Sequence, residues 1–171
     1  YFDIFEHEDK WKFGVFLSSC SGYTVSSALM GILIKYSTQV EAKKGLSPKD
    51  FLQTMAAELL PGFKEKDLAS FFYAAVDRKT LTLEYSSAGM ISCYRQTYGK
   101  DGVEYLKPLV PILSMGAQPQ FINQVVSLEP KDRLLFFSPG LVAAQNQKGE
   151  AWGVERLLEA WRTSNQKGVH D

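Results

Sequence analysis

Trp11-Lys12-Phe13-Gly14-Val15-Phe16-Leu17 runs without a break into Ser18-Ser19-Cys20-Ser21-Gly22-Tyr23-Thr24, and then into Val25-Ser26-Ser27-Ala28-Leu29-Met30. The first run is rich in aromatic and β-branched residues and is bounded by polar turns, which predicts a buried strand. From Thr24 the period changes. Val25, Ala28, Leu29, Ile32, Leu33, Tyr36 and Val40 follow i, i+3, i+4, i+7 spacing, which gives one apolar helix face with Thr24 as N-cap. Lys43-Lys44-Gly45 suits the end of that helix, because cations favour the negative end of its dipole and Gly takes a left-handed cap.

Ser47-Pro48-Lys49-Asp50 starts a second helix: Ser as N-cap, Pro at the first helical position, an acid three residues after the cap. Phe51, Leu52, Met55, Ala56, Leu59 and Leu60 form its buried stripe, and Pro61-Gly62 stops it. The pattern then turns to β. Segments 71–76 and 80–85 flank Asp77-Arg78-Lys79 as a hairpin, and 91–98 with 103–106 flank Gly99-Lys100-Asp101-Gly102 as another. Strands 124–128 and 133–137 bracket the turn Glu129-Pro130-Lys131-Asp132, and a last helix covers 154–162, with Val154, Leu157, Leu158 and Trp161 at helical spacing. Grouped helices and hairpin-joined strands predict an α+β fold on antiparallel sheet rather than a doubly wound parallel one.

At 171 residues, 45% apolar and 13% aromatic, the chain suits one domain, 1–171, with a substantial core. Lys+Arg and Asp+Glu are both 19, so no global field concentrates nucleic acid or anionic lipid, and no nucleic-acid partner is expected. Segment 25–36 is too short and too polar to span a bilayer, so direct membrane insertion is not expected. Cys20 and Cys93 form no C-x-x-C pair, so neither a zinc site nor a disulfide framework is suggested, and a reducing, cytoplasmic setting is expected. The chain opens at Tyr1-Phe2-Asp3 without Met, which reads as the C-terminal output part of something longer. No phosphate-cradling G-x-G-x-x-G or Walker loop occurs.

Residues with catalytic potential are few. Glu6-His7-Glu8 is the one local cluster of metal-capable side chains, and adjacent strand residues point to opposite faces, so it reads as a solvated loop before the Trp11 strand. Cys20 and Ser21 have no nucleophile elbow or neighbouring base in sequence. Cys93 lies within a strand and reads as a small buried hydrophobe.

The order of short motifs carries more. Tyr1-Phe2-Asp3-Ile4-Phe5 is similar to the segment that follows a Gly-Gly-Asp in the bacterial SpoIIE/RsbU branch of the metal-dependent protein phosphatase 2C family. Ser19-Cys20-Ser21-Gly22-Tyr23-Thr24, at the end of a strand and before a helix opening with small residues, resembles that branch's D-V-S-G-H-G. Tyr85-Ser86-Ser87-Ala88-Gly89-Met90 resembles Y-x-N-A-G-H. Residues 130–141, Pro-Lys-Asp-Arg-Leu-Leu-Phe-Phe-Ser-Pro-Gly-Leu, resemble P-G-D-R-L-L-L-Y-T-D-G-L. Ala144-Gln145-Asn146-Gln147-Lys148-Gly149-Glu150-Ala151-Trp152-Gly153 matches the tail A-x-N-x-x-G-E-x-F-G.

The resemblance implies two packed antiparallel sheets flanked by helices, an α-β-β-α sandwich. It implies signalling by partner switching, with a STAS-domain anti-sigma antagonist, an upstream sensor domain or a second copy of the chain as protein partner. In working relatives, aspartates hold two Mn²⁺ or Mg²⁺ ions that activate water for attack on phosphoserine or phosphothreonine. At the matching positions this chain has Ser19 and Pro139, flanked by Cys20 and Gly140; Tyr23-Thr24 after Gly22 replace His-Gly, and Met90 after Gly89 replaces His. Asp3, within the first of these motifs, is by the same resemblance a residue neighbouring the site. The expectation is a pseudophosphatase that needs no metal cofactor and acts by protein binding. The alternative is an active or residual Mn- or Mg-dependent serine/threonine phosphatase acting on a phosphorylated STAS-type regulator. Asp132 and Glu150 are the acids that a shifted alignment would recruit.

Overall fold

The computed structural model describes residues 1–21, 25–42, 45–100 and 102–164. Its elements are β1 (Phe2–Glu6), β2 (Lys12–Cys20), α1 (Val25–Glu41), α2 (Pro48–Leu59), β3 (Leu68–Asp77), β4 (Thr82–Ala88), β5 (Ser92–Gln96), β6 (Val103–Leu106), β7 (Leu113–Ser114), β8 (Gln124–Ser127), β9 (Arg133–Phe137), α3 (Pro139–Ala143) and α4 (Val154–Thr163). One sheet runs β1-β2-β3-β4-β8 with β7 on the end of β3; the other runs β6-β5-β9. All named strand pairs are antiparallel.

β3 shows why the larger sheet sits between two layers. Its side chains alternate: Ala69, Phe71 and Tyr73 join one core with Phe16, Phe51, Met55 and Ile34, while Phe72, Ala74 and Val76 join another with Tyr85, Ile91, Cys93 and Leu106. A period of two with both sets apolar means both faces are covered. The helical layer of α1 and α2 lies on the first face and the smaller sheet on the second. α4 closes the outside of the smaller sheet: the Arg133 guanidinium of β9 donates to Trp161 O at 3.1 Å and lies over the Trp161 ring. The result is the α-β-β-α sandwich.

α2 forms as its signals dictate, with Ser47 extended at the N-cap, Pro48 opening the helix, and Phe51, Leu52, Met55, Ala56 and Leu59 buried. α1 departs from expectation. Its apolar stripe faces solvent: Leu29, Ile32, Leu33, Tyr36 and Val40 are all exposed, whereas the inward side carries Ile34, Thr38 and Glu41. Thr24, read as the N-cap, and Lys43-Lys44 lie outside the described residues. Gly45 does take a left-handed φ of +62°.

Three further differences matter. β2 does not stop at Leu17 but continues through Ser18, Ser19 and Cys20, because β3 offers a full ladder opposite. The two strands flanking 129–132 do not pair with each other; β8 joins β4 and β9 joins β5, so that turn crosses between sheets. Glu6 and Glu8 are exposed, but His7 is half-buried, its Nε2 hydrogen-bonded to Tyr73 Oη at 3.1 Å, so it ties the β1–β2 hairpin to the core instead of sitting in a solvated loop. Burial lowers its pKa, helped by Lys12 and opposed by Asp9. Among the described residues, no helix is long and apolar enough to cross a membrane.

Candidate functional site

The end of β2 is fixed from both sides. Tyr1 and Ser18 exchange backbone bonds, with the Tyr1 amino group 3.1 Å from Ser18 O and Ser18 N donating to Tyr1 O at 2.8 Å. On the other side, Ser19 stands opposite Ser70 in the ladder and Cys20 opposite Ala69. Ser21 Oγ then locks the exit, donating to Lys66 O at 3.2 Å and accepting from Leu68 N at 2.9 Å. Ser21 therefore has a structural role.

Ser70 carries this end of β2 to the end of β4. Its Oγ accepts from Met90 N at 3.0 Å, and Gly89, at φ +83°, packs against the same side chain. A Cβ at residue 89 would collide with Ser70 Oγ and approach Ser70 Cβ to 2.9 Å, so the left-handed turn and the close approach both demand glycine. Ser19, Cys20, Gly89 and Met90 thus gather at one end of the larger sheet, with Met90 itself exposed. Gly22, Tyr23 and Thr24, the remainder of that motif, lie outside the described residues.

The second half of the site comes from the smaller sheet. β9 ends at Phe137, Ser138 is extended at φ −85° and ψ 158°, and Pro139 opens α3 at its first turn. Ser138-Pro139 repeats the residue pairing of Ser47-Pro48, with Pro at the first helical position but no side-chain cap bond from Ser138, so this segment is a helix start, a signal present in the sequence but not read there as one. A groove of about 590 Å³ brings the halves together, lined by Tyr1 and Ser18 from one sheet and Phe137, Ser138 and Leu141 from the other. Ser18 and Ser138 are the chain neighbours of Ser19 and Pro139, the expected ligand positions. Gly140 is exposed beside the groove's rim.

The acids lie elsewhere. β1 alternates, so Phe2 and Ile4 face the groove while Asp3 lines a separate cleft of about 1120 Å³ on the opposite face of the strand, with Phe5 and Gln39. Asp3 accepts from Tyr1 Oη at 2.7 Å and from Ile4 N at 2.9 Å; burial, that bond and the nearby carboxylate all raise the Tyr1 phenol's pKa. Asp132 accepts from Arg95 Nε at 2.7 Å and from Glu129 N at 2.8 Å, and Glu150 Oε2 accepts from Asn146 Nδ2 at 2.8 Å. Cys20 is half-buried, and burial pushes its thiol pKa up against a smaller opposing pull from the chain's amino terminus. Cys93 is fully buried, as read, and burial raises its pKa strongly. Among the described residues no group of three His, Cys, Asp or Glu side chains converges.

A family model described as stage II sporulation protein E matches residues 9–171. Among solved structures, the chain is similar to the SiaA-PP2C domain of Pseudomonas aeruginosa, with a TM-score of 0.75 at 20% identity over 99% of this chain and 66% of that one. It is similar to the RsbU and RsbW domains of a Mycobacterium tuberculosis protein (TM-score 0.71, 18% identity, 86% and 41% covered). It is also similar to the PP2C phosphatase domain and regulatory fragment of SpoIIE from Bacillus subtilis (0.73, 14%, 99% and 46%). The chain therefore spans two thirds or less of each of these neighbours. A search of curated proteins finds no match. The fold is that of the protein phosphatase 2C-type domains. With the model spanning all but the first strand and its turn, the chain belongs to the SpoIIE family.

Proposed function

We propose that this chain is a pseudophosphatase: a SpoIIE/RsbU-type domain that keeps the phosphatase fold, has lost metal-dependent hydrolysis, and acts in signalling by binding a protein. The observation that carries the reading is the chemistry at the two facing sheet ends. Hard divalent cations favour anionic oxygen ligands, and a bound water gives up its proton near neutral pH only when a firmly held metal lowers its pKa. Ser19 supplies a neutral hydroxyl, Pro139 supplies no side-chain donor, and burial holds the Cys20 thiol protonated. The acids that a shifted alignment would recruit, Asp132 and Glu150, are engaged in local hydrogen bonds, and Asp3 faces the other side of its strand. The residues present do not fit a two-ion centre.

The partner is a protein of a switching pathway. RsbU and RsbW domains occur together in one of the structural neighbours, and a phosphorylated STAS-domain regulator or an upstream sensor is the partner class this reading favours. Two measurements test it. Isothermal titration with Mn²⁺ gives no stoichiometric binding, and a phosphoserine STAS protein is bound without release of phosphate. Stoichiometric Mn²⁺ binding together with turnover overturns the reading in favour of a working serine/threonine phosphatase.

A further inference from the structure

We propose that the end of the sandwich opposite the groove is a membrane-surface face, which rests on anionic lipid headgroups without entering the hydrocarbon core. This goes beyond the reading above and does not depend on it. The strand pairings bring four turns to that end. The β1–β2 and β3–β4 tips close beside the Lys12–Asp77 pair, the β5–β6 tip lies beyond Gln96 and Val103, and the 129–132 crossing joins Ser127 to Arg133. Arg78 N donates to Trp11 O at 2.8 Å and Leu128 N to Leu81 O at 2.7 Å, so neighbouring turns adjoin. Each sheet presents one open aromatic here, Trp11 at 56% exposed and Tyr98 at 57%. Lys10, Arg78, Lys79 and Lys131 are exposed around them.

The chain carries no net charge, so attraction to an anionic surface has to come from segregation within this end. The acids of the turns are drawn back. Asp9 Oδ1 accepts from Trp11 N at 3.1 Å, Asp77 Oδ1 accepts from Lys79 N at 2.8 Å and Thr80 N at 3.0 Å, and Glu129 Oε1 accepts from Lys100 Nζ at 3.0 Å. Glu8 lines the cleft shared with Gln39 of α1, Asp132 is held by Arg95, and Asp101 lies outside the described residues. Lys10, Arg78, Lys79 and Lys131, by contrast, form no ion pair among the described residues. Lys131 is the least expected of them. It holds a left-handed φ of +69° at the position where the resembled P-G-D-R motif has glycine, and its ammonium lies 4.7 Å from the centre of the Tyr98 ring. Glycine would take that backbone without strain, so the lysine keeps a cation beside an open aromatic at the fold's expense. The mixture of groups says what covers the face. An acidic protein segment would meet the cations but give Trp11 and Tyr98 nothing apolar to enter, whereas a bilayer sets an anionic layer directly over an apolar one, the boundary at which Trp and Tyr concentrate.

Vesicle flotation of the 171-residue chain tests the proposal, using phosphatidylcholine alone and phosphatidylcholine with about 30% phosphatidylserine, with circular dichroism confirming the fold of each variant. The chain floats with the phosphatidylserine vesicles and not with the others, and added salt weakens the binding. Lys79→Glu with Lys131→Glu weakens it by about 25-fold or more, since each lost cation accounts for about 5-fold. Lys131→Gly relieves the left-handed backbone, so it weakens binding by about 5-fold with no fall in Tm. Trp11→Ala weakens it as well, and Lys148→Glu, the same charge change in the turn beyond α3, leaves it unchanged. Absence of flotation, equal flotation with both vesicle types, or an equal response to Lys148→Glu overturns the proposal. Binding of polyglutamate without flotation, lost in the Lys79/Lys131 variant, overturns it in favour of an acidic protein segment.

Discussion

Replacing Gly89 by Ala probes the junction that ties the end of β4 to β3, and through it to the end of β2, within the larger sheet. Three costs can be read from the geometry. Alanine at φ +83° must adopt a left-handed backbone, which costs roughly 1–2 kcal/mol. Ser70 must rotate its hydroxyl away from the new methyl, giving up the bond to Met90 N, worth about 1 kcal/mol. Rotation does not clear the remaining contacts, 2.9 Å to Ser70 Cβ and 3.1 Å to Ser70 Cα, so the β3 and β4 backbones must part, at roughly 1–2 kcal/mol. The expected loss is about 4 kcal/mol, or a Tm lowered by roughly 8–16 °C for a chain of this size. Urea and thermal unfolding followed by circular dichroism measure it, and a cycle with Ser70→Gly separates the parts. If the collision is with Ser70, the double variant loses about 1–2 kcal/mol less than the sum of the single ones. Gly89→Ala melting within a degree or two of the parent, or strict additivity in the cycle, would refute the reasoning.

Two further outcomes follow from neighbouring groups. Asp132→Ala leaves the Arg95 guanidinium, 11% exposed, with Glu104 at 3.3 Å as its remaining carboxylate and removes the acceptor for Glu129 N; a loss of about 2 kcal/mol is expected in urea titration, with Mn²⁺ titration unchanged from the parent. His7 has a folded-state pKa below its ordinary 6.5, so below that pH the unfolded chain takes up a proton that the folded chain refuses. Stability therefore falls as the pH drops from 6.5 toward the folded pKa and is flat below it; His7→Gln removes this part of the pH profile, and an identical profile in the variant contradicts the account.

Much of the sandwich was legible because its signals are local. Ser47-Pro48 announces α2 whatever surrounds it, and the alternation in β3 and the hairpin to β4 needs only neighbouring residues. α1 shows the limit. Periodicity identified its apolar face correctly, but a period says that a face exists and not what it meets; here the core took the side with Ile34 and Thr38, and the richer stripe stayed outside. The crossing at 129–132 was hidden for a similar reason, since a turn composition is the same whether the strands it joins pair or part. β1 escaped notice because its phenylalanines fall on both faces, Phe2 outward and Phe5 stacked against Tyr73. In the candidate site, the motifs located Ser19 and Pro139, but only the strand pairings show that Asp3 points away from them and that Ser70 is the link to Gly89.

The crossing at 129–132 also bears on how the molecule assembles. The chain leaves the larger sheet after β4, returns after β6, and leaves again after β8. Neither sheet is therefore one continuous stretch of polypeptide, and the smaller sheet lacks its third strand until residue 137 is available to dock on β5. Such interleaving places many contacts far apart in sequence, which slows folding toward the millisecond-to-second range. During synthesis, β5 and β6 emerge as a hairpin whose apolar face, with Cys93 and Leu106, finds β3 and β4 already made, while the free edge of β5 waits for β9. The site between the sheets is consequently among the last features to form, and a chain truncated before Phe137 would retain the α1–α2 layer's sequence while having no groove at all.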